Sequence, residues 1–223
     1  LIEETVAAAK RSSALPDRSV HDFAAAALLD RIETSGPGRP VRDHVARFRR
    51  RFQQLTGPVM AKSLEDTLFY RYGRLIALNE VGGDPGHFGM SVEAFHAQNG
   101  ERGRLWPDAM IATATHDTKR GEDARARLAA LSEIPDEWDA ALGRWRDVVG
   151  PLVVDVDGMA APDANDQYVI LQSLLGAWPD EVLDADDLEI LAEFTTRMHG
   201  FIEKALREAK RHSSWVNVNA PYE

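Results

Sequence analysis

The 223-residue chain is 44% hydrophobic and 28% charged, with a formal net charge of -10, a balance that allows one substantial core or two small ones and excludes wholesale disorder. The acidic excess would repel a phosphate backbone or an anionic membrane surface, and no apolar run approaches the roughly 20 residues of a spanning helix, so neither nucleic acid nor a membrane is an expected partner. Cysteine is absent, which excludes disulfides and thiolate metal sites, and, with no signal segment at the start, makes the cytoplasm the expected compartment.

In chain order, Leu1 to about Leu15 reads as a helix already in register, closed by Pro16. Ser19 and Asp22 form a capping-box pattern ahead of "FAAAALLDRI", which predicts a second helix. The Gly- and Pro-rich stretch Thr34–Pro40 reads as an exposed loop. A basic third helix runs through Gln54 and is interrupted at Gly57 and Pro58. Ser63 with Asp66 repeats the capping-box pattern and opens a fourth helix, on which Leu64, Leu68, Tyr72, Leu75 and Ile76 recur at helical spacing. "GGDPGHFG" is a loop, Ser91 an N-cap for "VEAFHAQN", and "ERGRLWPD" a second loop leading to a strand over Ala109–Thr115.

"GEDARARLAALSEI" then predicts a helix stopped near Pro135, and Trp138, Leu142 and Trp145, at i, i+4 and i+7, mark the inner face of the next. "VVGPLVVDVDGMAAPDAND" mixes a short apolar run with loop residues, and "QYVILQSLLGAW" continues as helix to Pro179. The clearest period lies in Asp187–His212, where Leu188, Leu191, Phe194, Met198, Phe201, Ala205 and Ala209 step by three and four. The pattern predicts a mainly α fold, a helical bundle with at most a few short strands near Ala109–Thr115 and Leu152–Asp155. The expected organisation is a helical region 1–108, a strand end 109–120, and a second helical region 121–223 packed with the first. Starting without Met and already in helical register, the chain reads as a piece of a longer protein.

The densest chemistry sits in "ATATHDTKRGED", Ala112 to Asp123. Two explanations of its His-Asp pair stand on the residues alone. Asp117 caps a helix beginning near Thr118, with His116 as a satisfied neighbour; or His116, Asp117, Lys119 and Arg120 supply the acceptor and donors that hold a polyhydroxylated ligand. A second cluster, "MAKSLEDTLFYRYGRL", gathers Lys62, Glu65, Asp66 and Arg71 with Phe69, Tyr70 and Tyr72, and reads equally as a charged helix start with inward-facing aromatics. No His-Glu-x-x-His or Cys/His pattern occurs, and "VGGDPG" lacks the Lys-Ser/Thr ending of a phosphate loop, so neither a metal nor another cofactor is expected.

"FQQLTGPVMAKSLEDTLFYRYGRLIALNEVGGDP", "ATATHDTKRGEDARARL", "LLGAWP" and "KALREAKRHSSWVNVNAPYE", in this order and spacing, closely resemble the maltooligosyltrehalose synthase family of the α-amylase superfamily. The resemblance implies a segment excised from a (β/α)8-barrel enzyme, covering most of a helical insertion and the His-Asp at the end of a late barrel strand. It implies an isomerase, an intramolecular and retaining transglucosidase. Its reaction converts the reducing-end α-1,4 linkage of a maltooligosaccharide into the α,α-1,1 linkage of trehalose. Asp117 takes the place of the third catalytic carboxylate and His116 that of its neighbouring imidazole, while Lys119, Arg120, Lys62, Glu65, Asp66 and Tyr70 are candidates for holding the released glucose. The family's nucleophilic Asp and acidic Glu have no counterpart here, so the chain alone is expected to be inert, and its expected partners are an α-glucan substrate and the barrel of the parent enzyme. A non-catalytic helical glucan-binding or protein-interaction module is the alternative.

Overall fold

A computed structural model describes residues 2–32, 39–180 and 187–223, dividing the chain into two units, Leu1–Ala61 and Lys62–Glu223. In the first unit, α1 (Ile2–Ser12) begins with Glu3 and Glu4 and ends with Lys10 and Arg11, the charge order that suits a helix dipole. α2 (Ser19–Leu28) departs from the capping-box expectation. Ser19 is its first helical residue, and the backbone N–H of Ser19 donates instead to the Asp17 carboxylate at 2.8 Å. The Thr34–Pro40 loop lies outside the described residues except for Arg39 and Pro40, which open α3 (Arg39–Met60). α3 is not interrupted at Gly57 and Pro58; it runs through both to Met60. A proline here removes one donor and crowds the preceding turn, a local cost that the rest of a 22-residue helix outweighs.

Ser63 is likewise not an N-cap. It lies inside a π-helical stretch, Ala61–Leu68, whose widened register lets the Thr67 hydroxyl donate to the Lys62 carbonyl five residues back at 2.8 Å. The fourth helix is shorter than its periodicity suggests, because α4 (Phe69–Arg71) stops where the chain must pass close to α8 (Ala164–Ala177). A Cβ on Gly73 would sit 2.6 Å from the Asn165 Oδ1 and 3.0 Å from the Val169 Cγ2. A single 3-10 turn, Ile76–Leu78, follows.

Two side-chain amides with no solvent exposure hold this break together. Asn79 Nδ2 donates to the carbonyls of Phe69 (2.9 Å) and Tyr72 (2.6 Å), while Gln172 on α8 donates to the Gly73 carbonyl (2.7 Å) and accepts from the Ile76 N–H (3.0 Å). Backbone groups freed by ending a helix in the interior therefore keep partners.

Ile76 then packs with Leu128 and Leu131, where α6 (Glu122–Ala130) lies against α8. Trp138 of α7 (Pro135–Val149) borders this core, edge-on to Trp145 at 5.6 Å and donating to the Tyr168 hydroxyl at 3.0 Å. Its core role follows from the i, i+4, i+7 spacing. Ser91 caps α5 (Val92–Leu105) as expected, accepting from the Ala94 N–H at 3.2 Å, but the helix continues through Gly100 and Gly103, so "ERGRL" is helical rather than loop.

The strand expected over Ala109–Thr115 does not form. Met110 and Ile111 are 99% and 73% exposed, and an isolated strand with no neighbour among the described residues leaves its whole row of N–H and C=O groups without ladder partners. The strands that do form are β1 (Val154–Val156) and β2 (Met159–Ala161), an antiparallel hairpin with Val154 opposite Ala161. Asp157 and Gly158 both take positive φ (54° and 81°), the condition for a two-residue hairpin turn. α9 (Leu188–Ala209) is the long amphipathic helix predicted: Phe194, Met198, Ala205 and Ala209 are buried, although Leu188 is exposed. No helix among the described residues is long and apolar enough to cross a membrane.

Candidate functional site

The two sequence clusters meet in the second unit. Asp66, carried by the π-helical stretch, places one carboxylate oxygen 2.5 Å from Lys62 Nζ and the other 2.8 Å from Lys119 Nζ. Fifty-three residues separate Asp66 from Lys119. Lys119 also lies over the Tyr70 ring, 5.6 Å from its centroid, and Tyr70 itself is buried against Ala205 and Ala209, so the ring forms a floor beneath the ammonium. Glu65 stands at the edge, accepting from the Gly82 N–H at 3.3 Å.

The backbone that delivers Lys119 and Arg120 is held by a residue that local pattern did not single out. Glu80 accepts from the Lys119 N–H (2.7 Å) with one carboxylate oxygen and from the Arg120 N–H (3.2 Å) with the other. No short-range signal marks Glu80, because its partners lie 39 and 40 residues away. The Arg120 guanidinium then turns inward, donating to the Ile76 carbonyl at 3.2 Å and lying over Phe201 at 5.8 Å.

His116 and Asp117 sit two to three residues before this clamp and point to solvent, with side chains 91% and 72% exposed and 3.4 Å apart. Asp117 does not cap a helix. α6 begins at Glu122 behind Gly121, which has no side-chain cap, and what holds the turn is Thr118, whose hydroxyl donates to the Thr115 carbonyl at 2.8 Å. Thr113 is tied to the same helix through Glu122 and Arg125. The structure thus gathers Lys62, Glu65, Asp66, Tyr70 and Lys119 around one surface, turns the Arg120 guanidinium inward, and leaves His116 and Asp117 exposed beside it.

The electrostatics follow from these contacts. Hydrogen bonds from Lys119 and then Lys62 hold the Asp66 carboxyl below the usual carboxylate range, against the upward pull of burial. Burial is the largest influence on Lys119 and pulls its pKa down, but Asp66, Tyr70 and Glu65 together outweigh it and the ammonium titrates above its ordinary value. Burial pushes the Tyr70 hydroxyl up and draws Arg120 down to about 10, with Glu80 opposing. A carboxylate whose folded pKa is depressed stabilises the fold above its unfolded pKa, about 4, and that contribution is lost as pH falls through the folded value. Asp66→Asn should therefore cost about 1–2 kcal/mol at pH 7, mostly the half-buried bond to Lys119, and flatten the loss of stability below about pH 4. Urea unfolding of both proteins at pH 7 and pH 3 checks this.

Nearby, Asp163, Asp166 and His212 bring ligand atoms within 4.8 Å of one another. Asp163, however, accepts from Arg211 (2.6 Å), His212 (2.8 Å) and the Asp166 N–H (2.8 Å), and Asp166 accepts from the Tyr222 hydroxyl (2.7 Å). The carboxylates of the cluster are thus occupied from within, and they fasten the C-terminal residues to the start of α8.

No family model matches the chain. It is 43% identical over 173 residues to proteins of two Mycobacterium tuberculosis strains described as maltooligosyl trehalose synthase, aligning 78% of this chain with 20% of theirs. Among solved structures, maltooligosyltrehalose synthase from Arthrobacter ramosus superposes with a TM-score of 0.73 at 35% identity, over 99% of this chain and 24% of that one. A Sulfolobus tokodaii maltooligosyl trehalose synthase gives 0.66 at 33% identity, over 91% and 28%. The chain spans about a fifth of the length of the curated relatives it matches. In sequence and in fold, along that shared segment, it is similar to the maltooligosyltrehalose synthases.

Proposed function

We propose that this chain is the segment of a trehalose-forming transglucosidase that contributes one catalytic carboxylate, Asp117, and the groups that keep the released glucose in place. The observation that carries this reading is the Asp66–Lys119 bond. It joins two motifs far apart in sequence into one polar surface floored by Tyr70, two to three residues from the His-Asp pair. Such a surface offers fixed donors and acceptors on an aromatic base, the equipment for holding sugar hydroxyls.

In the full enzyme the reaction is a retaining transfer. A carboxylate from outside this segment attacks the anomeric carbon of the penultimate glucose. The α-1,4 bond breaks, and its oxygen takes a proton from a second carboxyl group as the terminal glucose leaves. That glucose, held by Lys62 and Lys119 and by acceptors on Glu65 and Asp66, presents its own anomeric hydroxyl. Attack by this oxygen displaces the enzyme carboxylate and returns the proton, closing the α,α-1,1 bond with no net change in atoms. Asp117 and His116 would bind ring hydroxyls whose hydrogen bonds strengthen as positive charge develops on the anomeric carbon, so they contribute to the barrier rather than to affinity. Isomerisation outruns hydrolysis only if the glucose stays bound and water stays out.

The remainder of such an enzyme has a surface to cover. Phe88, Trp106, Met110 and Ile111 are each about two-thirds exposed or more, and apolar exposure of this kind marks a face that packs against further protein. The cysteine-free composition suits the cytoplasm. The test is to incubate maltoheptaose with the 223-residue chain and, separately, with a full-length synthase containing it. The full enzyme should abolish the reducing end and generate the α,α-1,1 anomeric signal in proton NMR without releasing free glucose in proportion. The segment alone should do neither, and turnover by it would overturn this reading.

A further inference from the structure

Adjoining Lys119 and Arg120, a cleft of about 460 Å³ opens between α6, α8 and α9, within the size range of small-molecule sites. Its construction is specific. Trp178, 44% exposed, stands on the wall with Phe194 set edge-on against it at 5.5 Å, so the indole face is braced. Arg127 donates to the Trp178 carbonyl at 2.5 Å and to both oxygens of Asp180 at 2.6 Å, which fixes the Trp-Pro-Asp turn carrying that indole.

Arg120 closes the inner end. Its one direct hydrogen bond among the described residues is to a neutral carbonyl, that of Ile76, and no carboxylate lies within ion-pair distance there. Glu80 spends its two oxygens on backbone N–H groups rather than on the guanidinium. A guanidinium carries five donors, and this one, half-buried on the cleft lining with one donor given to protein, has others free for a ligand that offers acceptors. Arg197 adds a further cation at the rim. An aromatic face with planar, hydrogen-bonding side chains around it matches a pyranose ring, which is apolar across its C–H faces and ringed by hydroxyls.

We infer that this cleft is a second α-glucan contact, in which a glucosyl unit stacks on Trp178 while its hydroxyls accept from Arg120 and Arg197. The choice of an α-glucan as ligand rests on the proposed function above. The site would seat a part of the donor chain remote from the transferred glucose, so its contribution is to affinity rather than to chemistry.

The test uses the 223-residue chain and maltoheptaose, followed by tryptophan fluorescence and isothermal titration, with glucose and inorganic phosphate as controls. Trp178→Ala and Arg197→Ala should each weaken maltoheptaose binding at least tenfold while circular dichroism shows both variants still folded, and Val148→Ala, exposed on α7 and outside both sites, should leave it within twofold. Equal binding by Trp178→Ala and the wild-type chain would overturn the inference and leave the proposed function standing, since the glucan would then be held elsewhere. No maltoheptaose binding at millimolar concentration, or tighter binding of phosphate than of maltoheptaose, would also overturn it. Failure of the proposed function reads differently: the full-length synthase would form no α,α-1,1 linkage, whatever the cleft binds. In that full-length enzyme, Trp178→Ala should raise KM for long maltooligosaccharides and leave kcat near wild type.

Discussion

In a full-length synthase carrying this segment, Asp117→Asn should slow the single-turnover chemical step roughly a hundredfold or more, about 2.7 kcal/mol in barrier, while the thermal midpoint stays unchanged. The stability half of that expectation comes from the geometry, and the rate half from the role proposed for Asp117. Asp117 is 72% exposed and makes no helix cap. The turn around it is held by Thr115 and Thr118, so the folded segment loses nothing when its carboxylate becomes an amide. The amide keeps the shape but gives up the charge and one acceptor, which matter most when the anomeric carbon turns cationic. Affinity should therefore change less than rate. A variant with wild-type rate would return Asp117 to the role of a surface residue in a turn, and the family resemblance would then say nothing about its chemistry.

The largest effect on stability should come from Gln172→Leu, about 3 kcal/mol. Leucine fills a similar volume but cannot serve the Gly73 carbonyl or the Ile76 N–H, both of which meet Gln172 in the interior. Each buried backbone group left without a partner costs about 1–3 kcal/mol. Gln172→Glu is the informative companion. Protonated, it keeps an acceptor for the Ile76 N–H and an O–H that can donate to the Gly73 carbonyl, so it should lie near wild type; forced to ionise, the buried carboxylate loses that donor and carries an unpaired charge, so it should fall below leucine. Denaturant midpoints at pH 5 and pH 8 separate the two.

What could be read from the sequence were features whose causes are local. The three- and four-residue spacing of Phe194, Met198, Ala205 and Ala209 foretells the buried stripe of α9, and Ser91 announces its helix because the cap and its acceptor role lie within three residues. The failures share the opposite property. Gly57 and Pro58 promise a break, but whether a helix survives a missing donor depends on the length it can set against the cost. Gly73 ends a helix that its own periodicity would continue, because Asn165 and Val169 occupy the space a Cβ needs. Ala109–Thr115 has strand-like composition but no neighbouring strand among the described residues. The Asp157-Gly158 pair was a legible hairpin signal, hidden by the brevity of its flanking strands. As for the candidate site, its members were visible as two motifs, whereas their meeting depends on Glu80, whose bonds cross some forty residues.

The Glu80 clamp also bears on local concentration. Two residues of chain reach at most about 7 Å, so a carboxylate on the residue two before Lys119 is leashed to a small sphere around the clamped backbone. One group confined to such a volume has an effective concentration on the order of 1 M, set by chain reach alone and independent of how the turn is arranged. Asp117 never has to find the surface where Lys119, Asp66 and Tyr70 stand. For the role proposed for Asp117, what remains is direction, a rotation of one short turn, and the leash makes that a unimolecular event.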